Sequence, residues 1–174
     1  MRFIAIILIL TSSSLISQEI KRVDSDRSSI SYSGKHFLHK WSAENKNISG
    51  LIQIENESIS NIGIVAKVSD FKSGNSSLDS NSLRVLEALQ FPNVIFRSTV
   101  VNQEDGQIIF EGVMNFHGIE KDFSILAEIT QLNEITQLSG KFIVSLTDFL
   151  VERPSLLTRK IDDEINLKFD LYFK

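Results

Sequence analysis

From Ser28 onward, apolar and polar residues alternate with a period of two, run after run, as they do in a strand with one buried and one wet face. Eight such runs cover about 28–38, 48–55, 60–71, 93–101, 107–117, 121–130, 138–147 and 160–173. One face of them carries Ile30, Tyr32, His36, Ile52, Ile64, Phe96, Phe110, Met114, Phe116, Ile125, Phe142, Val144, Leu167 and Phe169. The other carries Ser31, Gln53, Lys67, Arg97, Glu111, Ser124, Lys141 and Lys168. Glu104-Asp105-Gly106 and His117-Gly118-Ile119-Glu120 are turn signals, so neighbouring strands are expected to pair antiparallel as hairpins. Between the third and fourth runs, Ser73-Gly74-Asn75-Ser76 opens a longer connection. There Leu83, Val85, Leu86 and Leu89 have the spacing of one short amphipathic helix, about 79–90, ending before Phe91-Pro92. Gly50, Gly63, Gly112 and Gly140 fall inside runs and imply strong curvature.

The pattern predicts an all-β protein: an eight-stranded antiparallel β-barrel with one short helix between strands three and four, which removes the free edges of an open sheet. A barrel of that size is either filled by its own side chains or holds one small ligand, and periodicity does not choose between the two. Nor does it say which face points inward. An eight-stranded outer-membrane barrel, greasy side out, is an alternative that the ending Tyr172-Phe173-Lys174 suits; the fifteen aromatics, concentrated in mid-strand and not in girdles at both strand ends, argue against it.

Ahead of the first run, Met1-Arg2, the apolar stretch from Phe3 to Leu10 and the small polar residues Thr11 to Ser14 have the order of a secretory signal peptide. The stretch is about half of the ~20 residues a membrane span needs. A leader over 1–17 is therefore expected, cleaved near Ser17-Gln18, leaving one domain over 18–174 in the periplasm or outside the cell, with no stable membrane insertion. What remains, on the order of 155 residues, is enough for a single sizeable core. The chain has no Cys, which removes disulfides and thiol chemistry. A formal charge of -4, with the charges scattered, gives no footprint for nucleic acid.

Several segments together resemble the YceI-like family of bacterial polyisoprenoid-binding proteins. Tyr32-Ser-Gly-Lys35-His36-Phe-Leu38-His39-Lys-Trp41 is similar to that family's Y-x-x-K-H-x-L-H-x-W segment. Ser73-Gly74-Asn75-Ser76 with Asp79, Leu86, Phe91-Pro92-Asn93 and Phe96 resembles its loop, helix and fourth-strand block. Gly112-Val-Met-Asn-Phe-His-Gly118-Ile-Glu-Lys121 resembles its strand-turn-strand signature, and Gly140-Lys-Phe142 with Asp148-Phe149 and Glu152-Arg153-Pro154 its penultimate strand and loop. The chain departs from the pattern at Gly34, at Ser42-Ala43, where a Gly is expected after the Trp, and at Leu78, where a basic residue often precedes the Asp. The resemblance implies a lipocalin-like barrel, export, and an interior that takes a long polyisoprenoid or an isoprenoid-quinone-like lipid as carrier or reservoir, without catalysis or cofactor. A homodimer is compatible with it.

Such a tail offers water nothing to hydrogen-bond, and each five-carbon unit withdrawn from water is worth ~4 kcal/mol gross at ~0.8 per methylene. The expected ligand-binding residues are Tyr32, His36 and Trp41 at the mouth and Ile52, Leu86, Phe96, Phe110, Met114, Phe116, Phe142 and Val144 along the lining, with His39 and Trp41 in the loop after the first strand. An alternative from another class is a metal-dependent enzyme using His36, His39 and His117. No nucleophile elbow or other catalytic spacing occurs, and Asp162-Asp163-Glu164 reads as a solvated turn.

Overall fold

The computed structural model describes residues 18–174 except 38, 105 and 157; the expected leader, Leu38 and Asp105 lie outside the described residues. In chain order the elements are β1 (Gln18–Arg22), β2 (Ser29–His36), β3 (His39–Asn45), β4 (Ile48–Glu55), β5 (Ser58–Lys67), α1 (Ser76–Val85), β6 (Asn93–Glu104), β7 (Gln107–Phe116), β8 (Ile119–Leu132), β9 (Ile135–Ser145), β10 (Ser155–Leu156), β11 (Arg159–Lys160) and β12 (Glu164–Phe173). Ten of these strands form one antiparallel sheet in the order β1-β4-β5-β6-β7-β8-β9-β12-β2-β3, and β10 and β11 form a small hairpin of their own.

The sheet curls until its ends meet. Arg22 and Lys174 exchange backbone hydrogen bonds of 2.8 and 2.9 Å, Asp24 N donates to Tyr172 O at 2.7 Å, and Val23 N donates to Gly50 O at 3.0 Å. The N-terminal segment is thus held between β4 and β12. At the other edge, Glu44 in β3 exchanges hydrogen bonds of 3.0 and 2.9 Å with Lys72, beyond β5. Tight hairpins set the register. Asn56 and Glu57 take φ of 50° and 65° between β4 and β5, and His117-Gly118, at 51° and 74°, leave Phe116 opposite Ile119.

The eight expected strands are all present, but the strand count was too low. β1 and β3 were not anticipated, so α1 stands between the fifth and sixth strands and not between the third and fourth. His39 and Trp41, expected in a loop, are in β3. The helix is also shorter than expected. It begins where Asn75 accepts hydrogen bonds from the backbone of Ser77 and Leu78, and Leu89 lies beyond its end, fully exposed. Of the glycines taken to mark curvature, Gly50, Gly112 and Gly140 each back onto a neighbouring strand's carbonyl, whereas Gly63 has open space beside it.

The apolar face points inward. Lys67, Arg97, Glu111, Ser124, Lys141 and Lys168 are exposed on the outside, while Phe96, Phe110, Met114, Ile125, Val144 and Phe169 are buried. Toward the end that carries the β4–β5, β6–β7 and β8–β9 turns, Ile52, Ile108, Ala127 and Phe173 pack into a closed floor. Lys21 is buried there too, its Nζ donating to Glu134 O at 2.5 Å and Thr136 Oγ1 at 3.5 Å.

Candidate ligand cavity

Above that floor the side chains no longer meet across the interior, and a cavity of about 480 Å³ remains, within the range of small-molecule sites. Its wall is apolar: Ile62, Ile64, Val94, Phe96, Phe110, Met114, Phe116, Ile125, Leu138, Phe142, Val144, Ile165, Leu167 and Phe169 project into it from β5 to β9 and β12. The β-branched and aromatic residues that make these strands also present a smooth greasy surface, because every second side chain faces inward.

Polar groups gather at the end where α1 crosses. Leu78, Ser82, Val85 and Leu86, four helix or helix-end positions on one face, line the cavity beneath the strap. The Tyr32 hydroxyl lies 3.3 Å from Ser82 Oγ and its ring 5.5 Å from that of Phe71, tying β2 to the strap. Burial raises the Tyr32 phenol above its ordinary value, so the hydroxyl stays protonated and able to donate. Asp79 anchors the start of the helix by accepting from Ser73 N at 2.9 Å and Ser73 Oγ at 2.5 Å, and those bonds lower its carboxyl.

His36 is buried at the same rim. Its Nε2 donates to Arg159 O at 3.2 Å, and Nδ1 has no hydrogen-bond partner among the described residues. Trp41 lies across Gly34, where any Cβ would run into the indole. The departure from the family pattern at Gly34 therefore has a packing reason. Of the eleven residues expected to contact ligand, Tyr32, His36, Trp41, Leu86, Phe96, Phe110, Met114, Phe116, Phe142 and Val144 all line the cavity. Ile52 does not: it is fully buried in the floor, because its end of β4 lies beside the N-terminal strand that closes the sheet.

The expected ligand residues did not include Phe71, Leu78, Ser82, Val151 and Ile161; Phe71 and Ile161 fall at the outer ends of the expected runs 60–71 and 160–173, which the structure turns into connections, and the other three lie between strands. For the helix residues a signal existed, since positions 78, 82, 85 and 86 follow an i, i+4, i+7, i+8 stripe behind an Asn N-cap.

The three histidines do not converge. His36 and His39 have ring centroids 6.0 Å apart, but His117 is engaged elsewhere: Nδ1 donates to Phe149 O at 3.1 Å, Nε2 approaches Glu87 Oε2 at 2.9 Å, and Phe91 packs on its ring at 4.6 Å. No group of three or more potential metal-ligating side chains occurs among the described residues. Asp163, read as part of a solvated turn, accepts from Thr147 Oγ1 at 2.6 Å and Ser145 Oγ at 2.8 Å, which lowers its carboxyl and pins the loop after β9.

Residues 22–173 match the family described as the YceI-like domain. The chain belongs to the YceI-like family. Among solved structures it is similar to BcnA of Burkholderia cenocepacia, at 17% identity and a TM-score of 0.78 over 86% of this chain and 98% of that one. It is also similar to a polyisoprenoid binding domain from Saccharophagus degradans implicated in plant cell wall breakdown, at 13% identity and a TM-score of 0.71 over 92% and 99%. A third, the YceI protein of Campylobacter jejuni, stands at 15% identity and a TM-score of 0.64 over 98% and 91%. At these identities the likeness is one of fold, the curled lipocalin-like sheet of YceI domains with a single short helix. No curated protein sequence matches the chain.

Proposed function

We propose that this YceI-like protein is a non-catalytic binder of a long-chain amphiphile, a polyisoprenoid or an isoprenoid-quinone-like lipid, which it holds as a carrier or reservoir after export to the periplasm or beyond. The observation that carries this reading is the cavity: about 480 Å³, walled almost wholly by aliphatic and aromatic side chains, closed at one end and polar only at the other. An apolar tail brings no hydrogen-bonding group of its own to leave unpaired against that wall, whereas a polar substrate would bring several. The polar rim of Tyr32, Ser82, His36 and Trp41 suits a head group with a hydroxyl or carbonyl.

Membership of the YceI-like family and the name of the Saccharophagus degradans relative support the polyisoprenoid class. Export is supported by the leader pattern at the N-terminus. No observation favours the metal-dependent alternative. Organic extraction of the purified protein followed by mass spectrometry tests the reading. Co-purification of one stoichiometric isoprenoid is the expected result; an empty protein that also fails to take up added polyprenol or quinone would overturn it.

A further inference from the structure

The wall of the cavity is not equally closed all round. β8 pairs with β7 along the whole of β7, from Gln107↔Glu128 to Phe116↔Ile119, and β9 pairs with β12 from Thr136↔Phe173 to Ser145↔Glu164. Between β8 and β9, however, the ladder runs only from Leu132↔Ile135 to Glu128↔Ser139. Residues 119–127 of β8 and 140–145 of β9, both at the open end, have no ladder partner in one another. The strands part just after Gly140, where a Cβ would stand 2.7 Å from Leu126 O.

Beyond that point side chains span the stretch. Phe123 meets Phe142 edge-on, with ring centroids 5.6 Å apart, and Phe142 is itself part of the cavity wall. At the rim, Lys121 Nζ lies 3.2 Å from Asp148 Oδ1, an exposed ion pair of the kind that adds little to stability. On the outside the seam is flanked by two apolar residues that a wet face does not call for, Leu126 and Ile143, 49% and 50% exposed.

We propose that the β8–β9 seam is a lateral portal, through which the long apolar chain slides sideways into the cavity past Phe123 and Phe142. The proposal rests on the lipid-binding reading above. End-on threading beneath α1 would require lifting a helix held by the Asn75 cap, by Asp79 on Ser73, by Tyr32 on Ser82 and, just past its end, by Glu87 on His117. Opening the seam breaks no ladder bond; it parts two rings, a solvated ion pair, the Lys121 ammonium 6.0 Å from the Phe149 ring centre and the side-chain packing around Ile125, so it costs less than unzipping a paired ladder. Leu126 and Ile143 give the chain an apolar path from outside to inside.

The chain contains no Cys, so a pair introduced as Ser124→Cys and Ile143→Cys, one on each flank of the seam, can be bridged by a bis-maleimide without side reactions. Exchange of a dansyl-labelled farnesol between the protein and phosphatidylcholine vesicles is then followed, with the N-ethylmaleimide-capped pair as control. Bridging is expected to slow loading and release together, roughly tenfold or more, with little change in affinity, as for a blocked gate. Unchanged rates in the bridged protein would overturn the proposal.

A second measurement needs no ligand. In the apo protein, alternate amides within 119–127, those aimed at β9, should exchange with deuterium ~100-fold faster than the intervening ones aimed at β7. Uniform protection would show the seam zipped and would overturn the portal while leaving lipid binding intact. Failure of the unmodified protein to take up the probe at all would instead overturn the lipid-binding reading, and the portal with it.

Discussion

Phe142 and Phe173 sit at the two ends of the interior and should respond very differently to truncation. Phe173 is fully buried in the floor. Phe173→Ala withdraws a ring worth ~1.5–3 kcal/mol of transfer and leaves a hole of roughly 100 Å³, which at ~24 cal/mol per Å³ adds ~2.4 kcal/mol, so the total lands near the ~3–5 kcal/mol of packed-core Phe→Ala changes. Phe142 is only half-buried and faces a cavity of about 480 Å³ that exists before any mutation. With no new hole to open, the cavity contribution falls away and about half the transfer energy remains, ~1–1.5 kcal/mol together with part of the edge-on contact to Phe123.

The assay is urea unfolding of delipidated wild type, Phe142→Ala and Phe173→Ala, repeated with saturating polyprenol. In the apo proteins the Phe173 variant should lose at least twice as much stability as the Phe142 variant. Added ligand stabilises the native state according to its affinity. It should therefore rescue the Phe173 variant as well as it rescues wild type, and the Phe142 variant less. Equal apo losses at the two positions would mean that Phe142 is ordinary packing and that the interior is filled in solution.

Three further outcomes follow from the geometry. Trp41 is the only Trp in the chain and lines the mouth, so ligand entry should shift its fluorescence, and Trp41→Ala should weaken lipid retention more than it lowers the unfolding temperature. Asn75→Ala removes the side chain that caps α1 and should cost ~1 kcal/mol in denaturant unfolding. Asp79 and Asp163 have carboxyls lowered in the fold, first by Ser73 and first by Thr147 respectively. The stability they add is complete above their ordinary value of 3.8 and is lost as pH falls through the lower folded value. Acid titration should therefore show that loss flattened in an Asp79→Asn, Asp163→Asn double variant.

The strands legible in the sequence are those with one face buried and one face wet. β4, with Ile48, Ile52 and Ile54 on alternate positions, is read to the residue, and β5 to β9 and β12 within a few residues. The two strands of the main sheet that escaped violate the alternation for physical reasons, and the two-residue β10 and β11 are too short to show one. β1 reads Gln-Glu-Ile-Lys-Arg, and its burial is inverted: Ile20 is 56% exposed while Lys21 is buried by the carbonyl of Glu134. β3 has only Trp41 and Ala43 to offer, because beyond β2 it meets backbone partners only at Lys72. Leu89 was assigned to the helix face on spacing alone, but the helix has ended by then and Glu87 takes φ of 45° in the turn.

The alternation does not say whether the interior is hollow, since Phe173 in the floor and Phe142 in the wall occupy equivalent places in their strands' patterns. The difference arises in the connections. At the floor, two-residue turns such as Asn56-Glu57 draw neighbouring strands together, and the N-terminal segment closes the ring against β4 and β12. At the open end the β7–β8 turn at His117-Gly118 is tight, but the β5–β6 and β9–β12 connections are long, carry α1 and the β10–β11 hairpin, and are propped by polar contacts such as Tyr32 with Ser82 and Ser145 with Asp163. These props hold the strand ends apart without filling the space between them. Capacity for ligand should accordingly be altered more by shortening or re-tethering the segment 71–92 than by exchanging one wall residue for another of equal volume, because packed walls tolerate isosteric swaps while the void depends on what spans the mouth.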